Sequence, residues 1–320
     1  MSAKTILQIK NLDISFRTNA GVVHAIRGIN LDLQKGETVA IVGESGSGKS
    51  VTMKAAVGLL DSNATINSGE ILYTYDDGHG QDKTVDLLKL SKKQLRTEYN
   101  GQRLAMVFQD PMASLNPRKK VGDIISEGMD IHHRFANRQE REEKISEMLK
   151  KVGLSPEHAA RYPHQFSGGQ RQRVGIARAL IMNPKLIIAD ECISALDVSI
   201  QTQVVNLMKN IQAETQCAYL FIAHDLSMVK YISDRIGVLH LGYMVESGTK
   251  EEIFSHPVHP YTKSLLSAIP HPNPVVEKHR VALTYNYATS GIDYAKGTEH
   301  SVGGTHTVLA TDEEFDAWTK

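Results

Sequence analysis

Cysteine is scarce in this sequence of 320 residues, which contains only Cys192 and Cys217. This content gives no disulfide framework and no cysteine-rich zinc or iron–sulfur pattern, and it fits a reducing cytosol. Long apolar runs are absent as well. No run approaches the ~20 residues that span a bilayer, and the N-terminal segment has no apolar signal-peptide stretch. We therefore expect any role at a membrane to depend on partner proteins.

The sequence also has no excess of charge of either sign, with 36 Lys and Arg residues against 36 Asp and Glu residues. A balanced chain lacks the broad positive field that attracts nucleic acid, although a local basic patch would not show in this sum. We therefore expect no nucleic-acid partner. The length suffices for one large domain, with or without appendages.

The segment Gly43–Ser50, GESGSGKS, matches the phosphate-loop pattern G-x-x-x-x-G-K-[ST]. The apolar run Thr38–Val42 before it predicts a strand, and Met53–Leu60 after it predicts a helix, which argues against an ordinary glycine-rich turn. Backbone N–H groups of such a loop point at phosphate oxygens, its lysine reaches the β- and γ-phosphates, and its serine hydroxyl binds Mg²⁺. We therefore predict that a nucleoside triphosphate with Mg²⁺ binds through Gly43, Ser45, Gly46, Gly48, Lys49, Ser50 and Val51.

The remaining pattern predicts an α/β core with a helical insertion. The polar stretch 74–83 is interpreted as a loop, and the segment from Leu87 to about Tyr162 as the helical insertion. Near the end of the chain, Gly303-Gly304 predicts a hairpin turn, and Thr311 with Glu314 predicts a capping box for a short helix. Strands are predicted at Ile6–Ile9, Asp13–Phe16, Val22–Ile26, Ile29–Leu33, Lys185–Ala189, Ala218–Ala223 and in the segment RIGVLHLG.

An apolar run that ends in two carboxylates, Leu186–Glu191, predicts a second part of the nucleotide site. A buried strand of a parallel sheet presents its carboxyl end beside the phosphate loop. Asp190 would then hold Mg²⁺ through water, and Glu191 would orient or polarise the attacking water. The alternative is an acidic pair on the surface.

The segment Phe166–Leu180, FSGGQRQRVGIARAL, predicts a helix that begins at Ser167, Gly168 and Gly169. The free N–H groups of a helix N-terminus bind anions, so this end is a candidate for a second phosphate contact. The simpler interpretation is a well-capped amphipathic helix.

With these motifs in place, the sequence resembles the ATP-binding cassette (ABC) ATPases over residues 5–270. The family's motifs occur in its order: the phosphate loop, a glutamine loop at Gln109 in MVFQDP, the signature SGGQ, the strand LIIADE, a D-loop SALD (Ser194–Asp197) and a switch histidine, His224, in IAHD. Taken alone, Gln109 is also explained as a polar residue at a strand end, His224 as a core or surface histidine and Asp197 as a helix cap.

The resemblance implies an α/β fold: a P-loop (RecA-like) ABC ATPase core in residues 1–255 with an N-terminal antiparallel β subdomain and a helical insertion at about 88–162. Residues 256–320 would form a small C-terminal extension. It also implies a dimer of cassettes that closes on two ATP molecules, in which Ser167, Gly168, Gly169 and Gln170 of one subunit face the phosphate loop of the other. Gln109 would reach Mg²⁺ and the attacking water, His224 would contact the γ-phosphate, and Ser194 and Asp197 would lie at the dimer interface. Phe16 would stack on adenine, although a core phenylalanine is an equal alternative.

A narrower resemblance is to the oligopeptide/dipeptide importer ATPases of the OppD/OppF type. It rests on FQDPMASLNPR, YPHQFSGGQRQR, ISALDVSIQ and above all HPYTKSLLSAIP (His259–Pro270). Such subunits lie at the cytoplasmic face of a prokaryotic membrane, beneath two membrane-spanning permease subunits that an extracellular peptide-binding protein serves. His256 and His259 lack an implied third ligand and are interpreted as structural. A related dipeptide or nickel importer and a non-hydrolysing regulatory cassette are the alternative functions.

Two features stand apart from the family pattern. Cys192 follows Glu191 where the family usually has proline, which loosens the local backbone but leaves the glutamate in place. The phosphate-loop region looks more like the D-type subunit and the later half more like the F-type, and we favour the F-type.

The predicted hairpin and helix at the end of the chain would either cap their own domain, which we favour, or dock on a neighbouring cassette.

Overall fold

The computed structural model describes residues 4–194, 196–269 and 282–320. Ala195 of the D-loop and Pro270 of the C-terminal motif lie outside these ranges. The described strands are β1 (Thr5–Thr18), β2 (Gly21–Gln34), β3 (Thr38–Val42), β4 (Ala64–Asp76), β5 (Asp82–Asp86), β6 (Leu104–Val107), β7 (Leu186–Asp190), β8 (Ala218–Ile222), β9 (Arg235–His240), β10 (Tyr243–Thr249), β11 (Thr298–Gly303) and β12 (His306–Ala310).

The described α-helices are α1 (Lys49–Ala56), α2 (Lys92–Gln94), α3 (Pro111–Ser114), α4 (Val121–Ile125), α5 (Glu127–His132), α6 (Arg138–Lys151), α7 (Gly168–Leu180), α8 (Val198–Thr215), α9 (Leu226–Ile232), α10 (Lys250–Ser255), α11 (Pro260–Ser267), α12 (Tyr287–Ser290) and α13 (Asp312–Thr319). Short 3₁₀ turns at Leu87–Lys89, Pro156–Ala160 and Pro163–Gln165 and a π-helical turn at Leu95–Tyr99 connect them. Within this part of the chain, no helix combines the length and the apolar character that crossing a bilayer requires.

The strands form two sheets in the described residues. The antiparallel sheet has the order β2-β1-β4-β5, and the larger sheet has the order β11-β12-β10-β9-β3-β8-β7-β6. In the larger sheet β9, β3, β8, β7 and β6 run parallel, whereas β10, β12 and β11 extend it by antiparallel pairing. Because β3 and β7 lie beside β8 on opposite sides, their carboxyl ends come to the same edge of the sheet.

The core explains which strands are easy to recognise in the sequence. Every residue of β3, β7 and β8 is buried, as expected for parallel strands covered on both faces. Each fully buried aliphatic side chain contributes roughly 1.5–3 kcal/mol relative to exposure. The central sheet is therefore a rigid support for the loops at its carboxyl edge.

Several strand predictions are correct in position but too short. The four predicted N-terminal strands merge into β1 and β2, because irregularities in the β1–β2 register, such as the one between Ile9 and Leu12, interrupt the alternation without ending the pairing. The helix after the phosphate loop, α1, runs from Lys49 to Ala56, so it begins and ends four residues earlier than the predicted Met53–Leu60.

Two predictions are wrong. The stretch 74–83 is not a loop throughout, because β4 continues to Asp76 and the polar strand β5 begins at Asp82. The segment from Leu87 to Tyr162 is not helical throughout either, because it contains β6, which pairs with β7 in the core sheet. The prediction of an insertion beginning at about residue 88 therefore includes residues that belong to the core.

The end of the chain folds as the sequence indicates. β11 and β12 form a hairpin around Gly303-Gly304, where both glycines have positive φ angles of 140° and 60°. Thr311 and Glu314 form the predicted capping box of α13. β12 pairs with β10, so the hairpin extends the chain's own core sheet.

Candidate functional site

The phosphate loop connects β3 to α1 at the carboxyl edge of the core sheet. At Gly43, with φ of 147°, a Cβ would lie 2.0 Å from the carbonyl oxygen of Leu239, so a side chain has no room there. The Lys49 ammonium is buried and donates hydrogen bonds to the carbonyl oxygens of Gly43 and Glu44, both at 2.8 Å. Burial lowers the pKa of Lys49, and the carboxylates of Glu191, Asp190 and Glu44 act in the opposite direction.

The carboxylate at the end of β7 lies directly beside the phosphate loop. The Ser50 hydroxyl donates a hydrogen bond to Asp190 Oδ1 over 3.0 Å, although 140 positions separate the two residues. Burial raises the pKa of Asp190, and the bond from Ser50 partly offsets this effect. A hydroxyl and a carboxylate are hard oxygen donors of the kind Mg²⁺ prefers, so both residues fit the predicted metal site.

Glu191 forms the centre of a three-residue cluster. Gln109 Nε2 donates to one carboxylate oxygen of Glu191 over 2.7 Å, and His224 Nε2 lies 2.5 Å from the other. Gln109 follows β6, Glu191 follows β7 and His224 follows β8, so adjacent parallel strands deliver all three side chains. Glu191 itself adopts a φ of 45°, which costs a residue other than glycine roughly 1–2 kcal/mol and turns the chain sharply at the strand end. A carboxylate held in this way can accept a proton from, or orient, a water molecule beside the phosphate loop.

The signature segment begins α7. Ser167 is its N-cap: the hydroxyl accepts a hydrogen bond from the Gln170 N–H at 3.3 Å, while the Gln170 side chain accepts from the Ser167 N–H at 3.0 Å. Ser167 and Gly168 are exposed. At Gly169 a Cβ would lie 2.5 Å from Ile200 of α8, which explains the glycine by packing. The helix therefore presents an exposed N-terminus to a partner or ligand.

The other predicted site residues lie on nearby segments. The Ser194 hydroxyl donates to the carbonyl oxygen of Glu191 over 2.9 Å, which ties the start of the D-loop to the Glu191 turn. Asp197 is the N-cap residue of α8, but its carboxylate makes no capping hydrogen bond. Phe16 lies on β1, is half-buried and packs against the apolar core beneath the antiparallel sheet. Ser45 and Gly46 are exposed in the loop, and Val51 is half-buried in α1.

The phosphate loop also contacts a side chain of the C-terminal motif that the sequence does not predict. The Tyr261 hydroxyl, on α11 of the C-terminal motif, accepts a hydrogen bond from the Glu44 N–H over 2.9 Å. In the sequence, the segment HPYTKSLLSAIP is only a hallmark of the family, and its spacing gives no sign of a contact with a loop 217 positions earlier. Only the packing of α11 against the sheet edge reveals it.

Cys192 occupies a buried position directly after the Glu191 turn. The thiol is 2% exposed, and burial raises its pKa to about 12, so it is protonated at neutral pH. It acts as a small apolar side chain packed in the main core. The contacts that hold the Glu191 carboxylate come from Gln109 and His224 and not from the thiol.

We expect Cys192→Pro to change kcat for ATP hydrolysis by less than about threefold, because the exchange leaves the three-residue cluster intact. Steady-state phosphate release by the purified protein measures this. Cys192→Ala is the matched control, since it removes the thiol without adding a proline ring. A rise of about tenfold or more in kcat for the proline variant alone would show that Cys192 holds the site in a less active geometry.

Two family models match the chain. The ABC transporter family matches residues 26–194, and the family "Oligopeptide/dipeptide transporter, C-terminal region" matches residues 245–289. The first match contains the phosphate loop, Gln109, the signature and both carboxylates of the β7 end. The second contains α11 and Tyr261.

Full-length relatives are similar over almost the whole chain. The oligopeptide transport ATP-binding protein OppF of Bacillus subtilis (strain 168) is 49% identical over 315 residues, which cover 98% of this chain and 99% of that protein. The dipeptide transport ATP-binding protein DppF of Lactococcus lactis subsp. cremoris is 48% identical over 318 residues, covering 99% and 97%.

Solved structures share the fold. A dimeric post-hydrolysis state of an ATP-binding cassette bound to ADP and Pi is 28% identical, with a TM-score of 0.66 over 77% of this chain and 99% of that chain. The cbiO1 protein of Clostridium perfringens, part of an ABC transporter complex, is 27% identical, with a TM-score of 0.65 over 79% and 92%. The predicted P-loop fold with its antiparallel β subdomain is confirmed. The chain therefore belongs to the ABC transporter family, in which it is an ATP-binding, ATP-hydrolysing subunit of the oligopeptide/dipeptide transporter branch.

Proposed function

We propose that the ATP hydrolysis of this chain takes place within a dimer of cassettes and powers the uptake of oligopeptides through two membrane-spanning permease subunits. The observation that carries the proposal is the cluster of Gln109, Glu191 and His224 beside the Ser50–Asp190 pair at the mouth of the phosphate loop. We infer the oligopeptide cargo from the names of the relatives. The cluster accounts for the hydrolysis of ATP.

Each side chain has one role in this proposal. Lys49 exchanges its carbonyl partners for the β- and γ-phosphates of ATP. Glu191 orients the attacking water and takes its proton, His224 contacts the γ-phosphate, and Gln109 connects the water to the metal site. Ser50 and Asp190, with Gln109, would hold Mg²⁺. When bound, Mg²⁺ neutralises charge on the phosphate oxygens.

The exposed signature supports a site completed by a second cassette. Ser167, Gly168, Gly169 and Gln170 would contact the γ-phosphate bound to the partner, and Ser194 and Asp197 would line the interface. Phe16 would stack on adenine. A γ-phosphate shared by two chains gives the closed dimer a higher affinity for ATP than the open one, and its release reopens the dimer. The partner cassette is a second copy or a related chain.

The surface beside Gln109 supports docking on membrane subunits. A groove of about 550 Å³ lies between the core and the insertion, and its lining includes the exposed side chains of Leu59, Phe108 and Ile131. An apolar groove of this size suits a short helix of a permease subunit. We place the chain at the cytoplasmic face of a prokaryotic membrane, with an extracellular peptide-binding protein as an indirect partner.

Two finer assignments belong to the same proposal. We divide the chain into a nucleotide-binding domain, 1–255, and a C-terminal extension of the oligopeptide-importer type, 256–320. We also assign the chain to the F-type, because the relatives described above carry OppF and DppF names.

The proposal is tested by uptake in cells that lack this chain and in the same cells supplied with it again. Labelled oligopeptides, dipeptides and nickel ions are offered in parallel. We expect the chain to restore oligopeptide uptake, with nickel uptake unaffected. Restoration of dipeptide uptake alone would move the assignment to the dipeptide alternative, and restoration of nickel uptake alone would contradict the peptide cargo.

A further inference from the structure

The C-terminal extension touches the phosphate loop at one defined point. The Glu44 N–H donates to the Tyr261 hydroxyl over 2.9 Å, and the carbonyl oxygen of the same Glu44 accepts a hydrogen bond from Lys49 Nζ over 2.8 Å. The Tyr261 hydroxyl therefore holds the residue that the phosphate-binding lysine contacts. The Glu44 side chain is exposed and plays no part in this link.

The loop is held at a second point as well. The Gly242 N–H, in the turn between β9 and β10, donates to the carbonyl oxygen of Ser47 over 3.0 Å. Ser45 and Gly46 lie between the two held residues, Glu44 and Ser47, and are exposed. The two contacts thus fix both sides of the exposed part of the loop, which limits the conformations available to it before nucleotide arrives.

The Tyr261 ring is itself fixed by its surroundings. It is 2% exposed and stacks on the His240 ring, with centroids 3.9 Å apart and an interplanar angle of 20°. His240 Nδ1 in turn lies 2.7 Å from the Tyr294 hydroxyl. Burial lowers the pKa of His240 to about 4, so the stacking partner is neutral at neutral pH.

The helix that carries Tyr261 is anchored to the core and to the tail hairpin. His259 caps α11 by accepting the Tyr261 N–H over 3.0 Å. The N–H groups of Val258 and His259 donate to the buried Glu246 carboxylate over 2.7 Å and 3.0 Å. Glu246 also lies 2.7 Å from His306 Nε2 of β12. A continuous set of buried polar contacts therefore runs from the hairpin to the phosphate loop.

We propose that Tyr261 is a positioning residue for nucleotide binding: its hydroxyl holds Glu44 and thereby sets the phosphate loop in its binding geometry. This gives the family's C-terminal hallmark a function within the ATP site of its own chain. The inference rests on the proposed binding of ATP at the phosphate loop.

Tyr261→Phe tests the proposal, because it removes only the hydroxyl and keeps the buried ring. We expect the dissociation constant of the fluorescent analogue mant-ATP to rise about fivefold in the purified full-length chain, the effect of losing one buried hydrogen bond. The KM for ATP in hydrolysis should rise by a similar factor, with kcat within about twofold of the wild type, because the Glu191 cluster is not touched.

Tyr294→Phe is the matched control. Its ring is also 2% exposed in the same aromatic cluster, and its hydroxyl contacts His240 and Tyr285 instead of the phosphate loop. Weaker mant-ATP binding in Tyr261→Phe but not in Tyr294→Phe supports the proposal. Unchanged binding in Tyr261→Phe, or equal weakening in both variants, overturns it. A wild-type chain that bound no mant-ATP would instead contradict the proposed function itself.

Discussion

Glu191→Gln is expected to lower kcat for ATP hydrolysis by about 10²- to 10⁴-fold, the range that a positioned general base contributes. Binding of ATP should stay within about twofold, because Lys49 and the phosphate loop are unchanged. The structure explains why hydrolysis and ATP binding should respond differently. Glu191 reaches Gln109 and His224, whereas the Lys49 ammonium bonds to carbonyl oxygens of its own loop.

Glutamine keeps the shape of Glu191 and an oxygen that can accept from Gln109 Nε2, so the cluster should remain folded. The amide cannot accept a proton at neutral pH. Phosphate release under saturating ATP measures hydrolysis, and mant-ATP titration measures binding.

Asp225→Asn is the control for this variant. Asp225 follows His224 and caps α9, and asparagine caps a helix about as well as aspartate, so the exchange removes a nearby charge and keeps the fold. We expect its kcat to stay within about threefold of the wild type. Glu191→Gln with wild-type turnover would exclude Glu191 as the base, and an equal loss in Asp225→Asn would point to a general charge effect.

Ser167→Arg is expected to reduce hydrolysis by about 100-fold, the scale of losing a phosphate-stabilising contact, while the isolated chain binds mant-ATP as before. Ser167 is exposed at the N-terminus of α7, and its hydroxyl and N–H form hydrogen bonds with Gln170 and not with its own phosphate loop. An arginine there would block the approach of a second cassette.

Light scattering distinguishes the associated dimer of cassettes from the separate chains. ATP-dependent association of the chain with its partner cassette, a second copy if it forms a homodimer, is followed by light scattering in the Glu191→Gln background. We expect association in that background and its loss when Ser167→Arg is added.

Ser91→Arg is a closely matched control, because Ser91 is also an exposed serine that forms a capping box with a glutamine, Gln94, at the start of α2. It removes a cap of the same kind, which costs about 1 kcal/mol, without touching the signature. If Ser91→Arg impaired hydrolysis equally, the loss in Ser167→Arg would reflect stability. If Ser167→Arg weakened mant-ATP binding to the isolated chain, the signature would act within its own subunit.

The polar strand β5 shows why the sequence pattern does not predict every element of the fold. Its five residues are Asp82–Asp86, and it carries none of the apolar alternation that marks a strand. It forms because β4 offers it a free edge, with support from a 2.9 Å hydrogen bond between the hydroxyls of Thr74 and Thr84. β6 is not predicted for a related reason: a run of four apolar residues between helical segments is too short to distinguish the period of a strand from that of a helix.

What the sequence alone determined is the set of local motifs. The phosphate loop, the two carboxylates at the end of the β7 segment, the Ser167 cap, the Gly303-Gly304 hairpin and the Thr311 capping box each depend on hydrogen bonds or torsion angles within a few residues. Such features are encoded by residue type and spacing, so the order of motifs was enough to predict an ABC ATPase and its family branch.

Only the tertiary structure decided which of these motifs touch each other. Gln109 and Glu191 are 82 positions apart and Glu44 and Tyr261 are 217 apart, yet each pair is in hydrogen-bond contact. These contacts depend on the order of the parallel strands and on the packing of α11 against the sheet edge. Side-chain burial over the whole domain determines both, and no local pattern records it.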